Sequence, residues 1–337
     1  TVDTQSWAKG FGSNVVFYNE KVVQINTKEK KVITNNQEIE YDDVILAIGA
    51  RTNFPTFIKG LRENSHGIKK FERAYHFKSE FEKIIYKRVN KQDKDKFNIV
   101  IGGAGLSGVE IAAEMAYIAH KFTKSIGIKE SNINIYLVEA YDSILNGMDS
   151  YIIDNTMERL KSLGVNVMLN SFIDEVQANN IILKDKSELP FDFMIFTGGI
   201  KAIEINMDIE IEKNRINQMI VNEYLQISDN CYSIGDCTEL KDVNGYMLPP
   251  TAQSAEQSAA YVAKSIIAKY ENEKEEPYVG RIDGIFVALG GNYAVGQMLK
   301  FVKVKGYSAY LLKKLITKLY HYGLKSRFNN SFKIRGK

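Results

Sequence analysis

The run Asn98-Ile-Val-Ile-Gly-Gly-Ala-Gly-Leu-Ser-Gly108-Val-Glu110 constrains this chain more than any other stretch. An apolar, β-like segment enters Gly103-x-Gly105-x-x-Gly108 and leaves as a helical pattern over Val109 to Tyr117. Three glycines at that spacing let the chain turn tightly, let backbone approach a pyrophosphate and let a helix pack close on its strand. The N-terminus of that helix, with Leu106 and Ser107 in the turn, can then hold the anion. A second β-like run, Ile133 to Val138, ends on Glu139. An acid there accepts hydrogen bonds from ribose hydroxyls and repels a 2′-phosphate, so NADH is expected in preference to NADPH. The interval from Gly103 to Glu139 exceeds the usual spacing of about twenty residues, and Ala119 to Ser131 is expected to loop out as an insertion.

The motif lies well inside the chain, and two further segments explain why. Tyr41-Asp-Asp-Val-Ile-Leu-Ala-Ile-Gly49-Ala50 reads as a strand closing on small residues, and Tyr232-Ser-Ile-Gly235-Asp236-Cys237 as a strand closing on Gly-Asp. Small residues at both ends let a cofactor pass close to backbone, and Asp236 can accept hydrogen bonds from a ribityl hydroxyl. With Phe196-Thr-Gly198-Gly199-Ile200 as the matching closing turn, the chain resembles the flavoproteins with two dinucleotide-binding domains, in which an NAD domain is inserted into an FAD domain. The resemblance implies an α/β fold with two Rossmann-like domains. They are a discontinuous FAD-binding domain over 1–90 and 205–280 and an NAD-binding domain over 97–204, followed at 281–337 by a membrane-interface or dimerisation region with an amphipathic helix at Leu311 to Leu324. No G-x-G-x-x-G occurs in residues 1–90 and the chain begins at Thr1. The opening βαβ unit of the FAD domain is therefore expected to be missing, and FAD to bind poorly.

Length agrees with about two domains, and 45% hydrophobic against 25% charged residues is ordinary for a globular chain with real cores. Cys231 and Cys237 form no C-x-x-C pair, and His66, His76, His120 and His321 form no cluster, so neither a disulfide framework nor a metal site is expected and a reducing compartment fits. No apolar stretch reaches the eighteen residues of a membrane span. Short strands are expected at Val15 to Tyr18, Lys21 to Asn26, Lys31 to Thr34 and Glu38 to Tyr41, as a small antiparallel meander. A helix is expected over His76 to Val89, then a polar linker over Asn90 to Lys96. Further on come a helix at Ser150 to Leu163 and strands near Val165 to Leu169, Ile181 to Leu183 and Met219 to Leu225.

Charge is unevenly spread. After Asp283 there is no acid, while Lys300, Lys303, Lys305, Lys313, Lys314, Lys318, Lys325, Arg327, Lys333, Arg335 and Lys337 carry +11; against a total of +3 this leaves −8 for residues 1–283. Leu311, Leu312, Leu315, Ile316, Leu319 and Tyr322 recur at helical spacing beside those lysines. The pattern predicts an amphipathic helix in a membrane interface, basic face toward anionic headgroups. A dimer helix or a core-packed helix with a solvated basic face is the competing reading. Nucleic-acid binding is not expected, since no reading motif accompanies the charge.

Leu248-Pro-Pro-Thr251-Ala252-Gln253-Ser-Ala-Glu-Gln257 opens another helix, with Thr251 as N-cap and an alanine-rich body. Its positive end suits the negative charge a reduced flavin collects. Gln253 and Gln257 are four apart on one face, a pair suited to a quinone carbonyl. This motif resembles the quinone side of type II NADH:quinone oxidoreductases, and the resemblance extends from Tyr41 through the basic tail. It implies a peripheral enzyme on the cytoplasmic face of the cell membrane that passes hydride from NADH to FAD and electrons on to a membrane quinone, without proton pumping. Gly103, Gly105, Gly108 and Glu139 would then bind NAD, Gly49, Ala50 and Asp236 would contact FAD, and Gln253 and Gln257 would face the quinone. Glu110 would lie between nicotinamide and flavin; read from its position alone it is a first-turn acid favoured by the helix dipole. Lys313 or Lys314 would correspond to a lysine near the flavin. Alternatives at this level are a sulfide:quinone oxidoreductase, a soluble ferredoxin or disulfide reductase, and a nucleotide-binding module without turnover.

Overall fold

The structure is a computed structural model describing residues 3–69, 71–91, 96–125, 132–299 and 301–329. It divides into two compact units. One comprises Thr1–Gly49, Ile203–Arg281 and Leu311–Lys337, the other Ala50–Ala202 and Ile282–Tyr310.

In the first unit the chain opens on α1 (Thr4–Lys9), capped by the Asp3 carboxylate, which accepts the Gln5 and Ser6 amides. Val15 to Tyr18 form no strand; all four side chains are exposed, so this β-prone run has no sheet face to join. The meander does form, from β1 (Val22–Asn26), β2 (Lys31–Thr34) and β3 (Glu38–Glu40). Next, β4 (Val44–Leu46) stops short of the expected end at Ala50, because Gly49 at φ +67 redirects the chain.

The second unit begins with β5 (Ala50–Thr52), α2 (Leu61–Asn64) and α3 (Phe71–Lys91), which starts earlier than expected. Its Phe81 and Ile85 are buried in the core. Residues 92–95 of the expected linker lie outside the described residues. Then come β6 (Phe97–Gly102), α4 (Leu106–Ser125) and β7 (Ile133–Val138). The extra length before Glu139 is therefore helix, not a looped insertion, up to Ser125. Val109, Ala112, Ala113, Ala116 and Ala119 continue one buried face through it, and 126–131 lie outside the described residues. α5 (Ser150–Ser162), capped by Asp149, leads to β8 (Val165–Met168). A small antiparallel sheet follows, β9 (Ile173–Val176), β10 (Asn180–Leu183) and β11 (Glu188–Pro190), and then β12 (Phe193–Phe196). β13 (Ile200–Ala202) pairs with β5. The central sheet has order β12-β6-β7-β8 and is parallel throughout. Near-continuous apolar runs such as Ile99-Val100-Ile101, all fully buried, are what a sheet covered on both faces requires.

Back in the first unit, β14 (Asn206–Met207) runs parallel to β1. Met219 to Leu225 is not a strand. Asn217 and Leu225 adopt positive φ and the Asn214 and Asn222 side chains accept nearby amides, which leaves Met219 two isolated bridges. β15 (Gln226–Ser228) pairs with β16 (Cys231–Ser233), which runs parallel to β4. A single 3-10 turn, Gly235–Cys237, and α6 (Ala252–Glu271) complete this part.

The helix expected at Leu311 to Leu324 forms, but a sheet that was not expected precedes it within 281–337. β17 (Gly284–Ala288), β18 (Ala294–Met298) and β19 (Val302–Gly306) form an antiparallel sheet, and only then does α7 (Tyr307–Asn329) begin. The sheet docks in the second unit on α4 and α5. Lys303 pairs with Asp149 at 2.9 Å, and Arg159 donates to Leu289 O at 3.1 Å while lying over the Tyr293 ring. Lys300, Lys333, Arg335 and Lys337 of the basic tail lie outside the described residues. Among the described residues no helix is long and apolar enough to cross a membrane.

Candidate functional site

At the C-terminal end of β6 the three fingerprint glycines sit in three different surroundings. Gly103 sits at φ +97, and a Cβ on it would lie 2.7 Å from the Gly198 backbone. Gly108 is buried in the first turn of α4, where a Cβ would lie 1.9 Å from Gly103 O. Gly105 has neither constraint: a Cβ there would meet nothing within 4 Å. It is exposed beside Ser107 at the N-terminus of α4, with Leu106 partly buried between them. Nothing inside the protein demands a glycine at 105, and without a Cβ its exposed backbone leaves room for a group to approach closely. An anion such as a dinucleotide pyrophosphate fits that place.

Glu139 follows β7 and closes on the same loop. Its Oε2 accepts the Ala104 amide at 2.6 Å and its Oε1 the Tyr141 amide at 3.2 Å. Gly198 and Gly199, the latter at φ +123, turn the chain between β12 and β13 against Gly103. Gly103, Gly105, Leu106, Ser107, Gly108, Glu139 and Gly198 are thus gathered at one end of the parallel sheet, where ligands of such sheets bind. Sequence reasoning missed Thr197, whose hydroxyl donates to Gly103 O at 2.8 Å. Glu110 is not a first-turn acid, since the first turn of α4 carries none. Its Oε1 instead accepts the Ala288 amide of β17 at 2.9 Å, and one turn on Glu114 accepts the Gly291 amide at 3.1 Å.

In the first unit, Gly235 at φ +69 and the partly buried Asp236 form the turn after β16, at the C-terminal end of the parallel β16/β4 pair. Gly235 donates its amide to Ser258 of α6 at 3.1 Å, and buried Gln218 donates to Asp236 O at 3.2 Å. Neither Ser258 nor Gln218 was singled out from sequence. Ser254 and Ser258, four apart in an alanine-rich helix, were a readable sign of close approach on that face, which buries Ser254, Ser258, Val262 and Ser265. Thr251 is the N-cap of α6 as expected, its hydroxyl accepting the Ser254 amide at 3.3 Å. Ala252 is exposed, Gln253 is partly buried, and Gln257 accepts the Arg281 amide at 3.2 Å. The braced turn, its carboxylate and the α6 N-terminus on one framework suit the ribityl and flavin ends of an FAD. Gly49 closes the first unit and Ala50 opens the second, at the crossover of the chain. Both cysteines are buried, and burial pushes the Cys231 thiol up to about 11. Lys313 is partly buried and Lys314 exposed on α7.

A parallel sheet with a glycine loop at its carboxyl end, inserted into a chain that carries a Gly-Asp turn, defines a pyridine-nucleotide flavoprotein. Residues 7–259 match the pyridine nucleotide-disulphide oxidoreductase family. The chain is 30% identical to the type II NADH:quinone oxidoreductase of Haemophilus influenzae, over 88% of its own length and 74% of that relative. It is 26% identical to a demethylphylloquinone reductase of Synechocystis, over 90% of its length and 74% of that protein. This chain belongs to the type II NADH:quinone oxidoreductases. In fold it is similar to NDH2 from Plasmodium falciparum in complex with NADH, with TM-score 0.79, 19% identity and 95% and 84% of the two chains covered. The sulfide:quinone oxidoreductase of Aquifex aeolicus also shares the fold, with TM-score 0.76 and 19% identity over 93% and 76% of the chains.

Proposed function

We infer that this protein oxidises NADH and reduces a quinone. The observation that carries the reading is Gly105, a glycine with room around it and no internal reason to be one, at the N-terminus of α4 beside Glu139. FAD, when bound, would supply the two-electron redox chemistry that links NADH to the quinone. The chain's own residues do the rest: the Gly103–Gly108 loop binds the pyrophosphate, Glu139 selects the ribose, and Asp236 with the α6 N-terminus holds the flavin end. Gln253 and Gln257 are proposed to face the quinone, and Gly49, Ala50, Gly198 and Gly199 to line the cofactor paths. Two buried cysteines disfavour sulfide chemistry, which needs accessible thiols. With FAD supplied in excess, to offset the poor binding expected of it, NADH-dependent reduction of a water-soluble quinone is expected. NADH consumption with no quinone reduced would overturn the reading.

Cofactor choice follows from charge. Glu139 puts a carboxylate where a 2′-phosphate would sit, a repulsion of order 1–4 kcal/mol at 4 Å between dielectric limits of water and protein surface. NADH is therefore expected to bind at least about tenfold tighter than NADPH by calorimetry. Glu139→Ala should shrink that ratio; equal affinities in the unmodified chain would contradict the assignment.

Glu110 is proposed to handle a proton between nicotinamide and flavin while anchoring β17. Glu110→Gln keeps an acceptor for Ala288 and should unfold within about 2 °C of the parent, whereas Glu110→Ala should lose several degrees. Slowed NADH oxidation in Glu110→Gln at unchanged stability would establish the proton role. An unchanged rate would leave only the anchor.

The same reading places the protein in a respiratory chain, peripherally on the cytoplasmic face of a membrane. Leu311, Leu315, Ile316 and Leu319 of α7, all at least 46% exposed, support the membrane contact.

A further inference from the structure

Glu139 and Thr197 close on one and the same peptide group, the unit joining Gly103 to Ala104. Its carbonyl oxygen accepts the Thr197 hydroxyl at 2.8 Å, and its N–H is donated to Glu139 Oε2 at 2.6 Å. Thr197 directly follows β12 and Glu139 directly follows β7, the two strands that flank β6. The peptide at the tip of the central strand is thus gripped from both sides by the tips of its neighbours. The surroundings extend the grip: Thr197 N–H donates to Gly102 O at 2.8 Å, and Leu145 N–H to Ala104 O at 2.9 Å.

Gly103 sits at φ +97 and carries no Cβ, so on its side the following peptide plane is free to turn, and rotation is opposed only by the Ala104 Cβ on the other side and by these hydrogen bonds. In the observed orientation the carbonyl points inward, toward buried Gly108 and Thr197. Turned over, it would face the Glu139 carboxylate and set two acceptors against each other, and it would leave the Ala104 N–H without its charged partner. It would also bring a negative oxygen toward a cradle that has to receive an anion.

We propose that Thr197 and Glu139 are paired positioning residues that lock the Gly103–Ala104 peptide with its carbonyl away from the bound dinucleotide, Glu139 doing this in addition to reading the ribose. The proposal rests on the reading that NADH binds at this loop, but the lock itself exists without ligand. Glu139 replacements consequently change loop geometry as well as specificity.

The test compares Thr197→Val, which keeps the shape and removes the hydroxyl, with Thr197→Ser, which restores it. Two readouts are taken on the purified chain: amide hydrogen exchange over residues 103–108 without ligand, and the NADH dissociation constant by calorimetry. Loss of one partly buried hydrogen bond should speed exchange of the Ala104 amide about two- to tenfold and weaken NADH by a similar factor in Thr197→Val. Thr197→Ser should stay within about twofold of the parent in both. Unaltered exchange in Thr197→Val, or equal damage from Thr197→Ser, would overturn the lock. If the parent chain took up no NADH, the binding reading would fall, and the exchange comparison would still decide the lock.

Discussion

Gly108→Ala is expected to remove NADH binding, by about a hundredfold or more, roughly 2.7 kcal/mol. The added Cβ would stand 1.9 Å from Gly103 O and 2.7 Å from Thr197 Oγ1, and the first of these is backbone that cannot step aside. Relief requires levering the first turn of α4 away from the loop, which spoils the N-terminus that faces the anion. The buried helix face at Val109, Ala112 and Ala113 would move with it, so a lower unfolding temperature should accompany the loss. Gly105→Ala supplies the contrast. Its Cβ would enter open space, so the unfolding temperature should stay within about 2 °C of the parent. Its NADH affinity should nonetheless fall, because that space is where the pyrophosphate must come close. A Gly105→Ala protein that binds NADH like the parent would show that the ligand does not pass there.

What could be read from the sequence was whatever is decided locally. The glycine loop, the cap at Thr251 and the apolar runs of β6 and β7 carry their reasons within a few residues of themselves. Features decided at a distance were not legible. Gly290 and Gly291 look like a loose loop, yet a Cβ on Gly290 would lie 2.6 Å from Ala113 O of α4, so this turn is shaped by a helix far away in sequence. The β17–β19 sheet was missed for the same reason, its partners being Glu110, Glu114, Asp149 and Arg159. Local propensity misled in the other direction at Val15 to Tyr18, where β-prone residues have no sheet to enter, and at Met219 to Leu225, where asparagine side chains compete for the backbone. Within the site, glycines and acids were visible as types, but the Thr197 hydroxyl and the Gln218 amide act on backbone groups that only the fold brings to them.

Ending the chain after Tyr310 should release the protein from anionic vesicles while NADH binding at Gly103–Glu139 survives. The cut is set by burial: Ala309 is fully buried and belongs to the second unit, whereas Leu311, Leu315 and Leu319 are 46%, 53% and 62% exposed along one stripe of α7. A cut at Gly306 would remove Ala309 as well and confuse membrane loss with unfolding. Two contributions should be separable. Burying the exposed leucine and tyrosine face in the headgroup boundary contributes about 25 cal/mol per Å² and is insensitive to salt. Lys314 and Lys318, both exposed, contribute on the order of 1 kcal/mol each near an anionic surface, screened within ~10 Å at 0.1 M salt. Raising ionic strength should therefore weaken vesicle binding without abolishing it, and Leu315→Glu with Leu319→Glu should leave only the salt-sensitive part. In a quinone assay the shortened chain should lose reduction of long-tailed quinones more than reduction of a water-soluble acceptor. A helix that pairs two copies of the chain predicts otherwise: the intact protein would ignore anionic vesicles at low salt, and the leucine substitutions would halve its mass in solution.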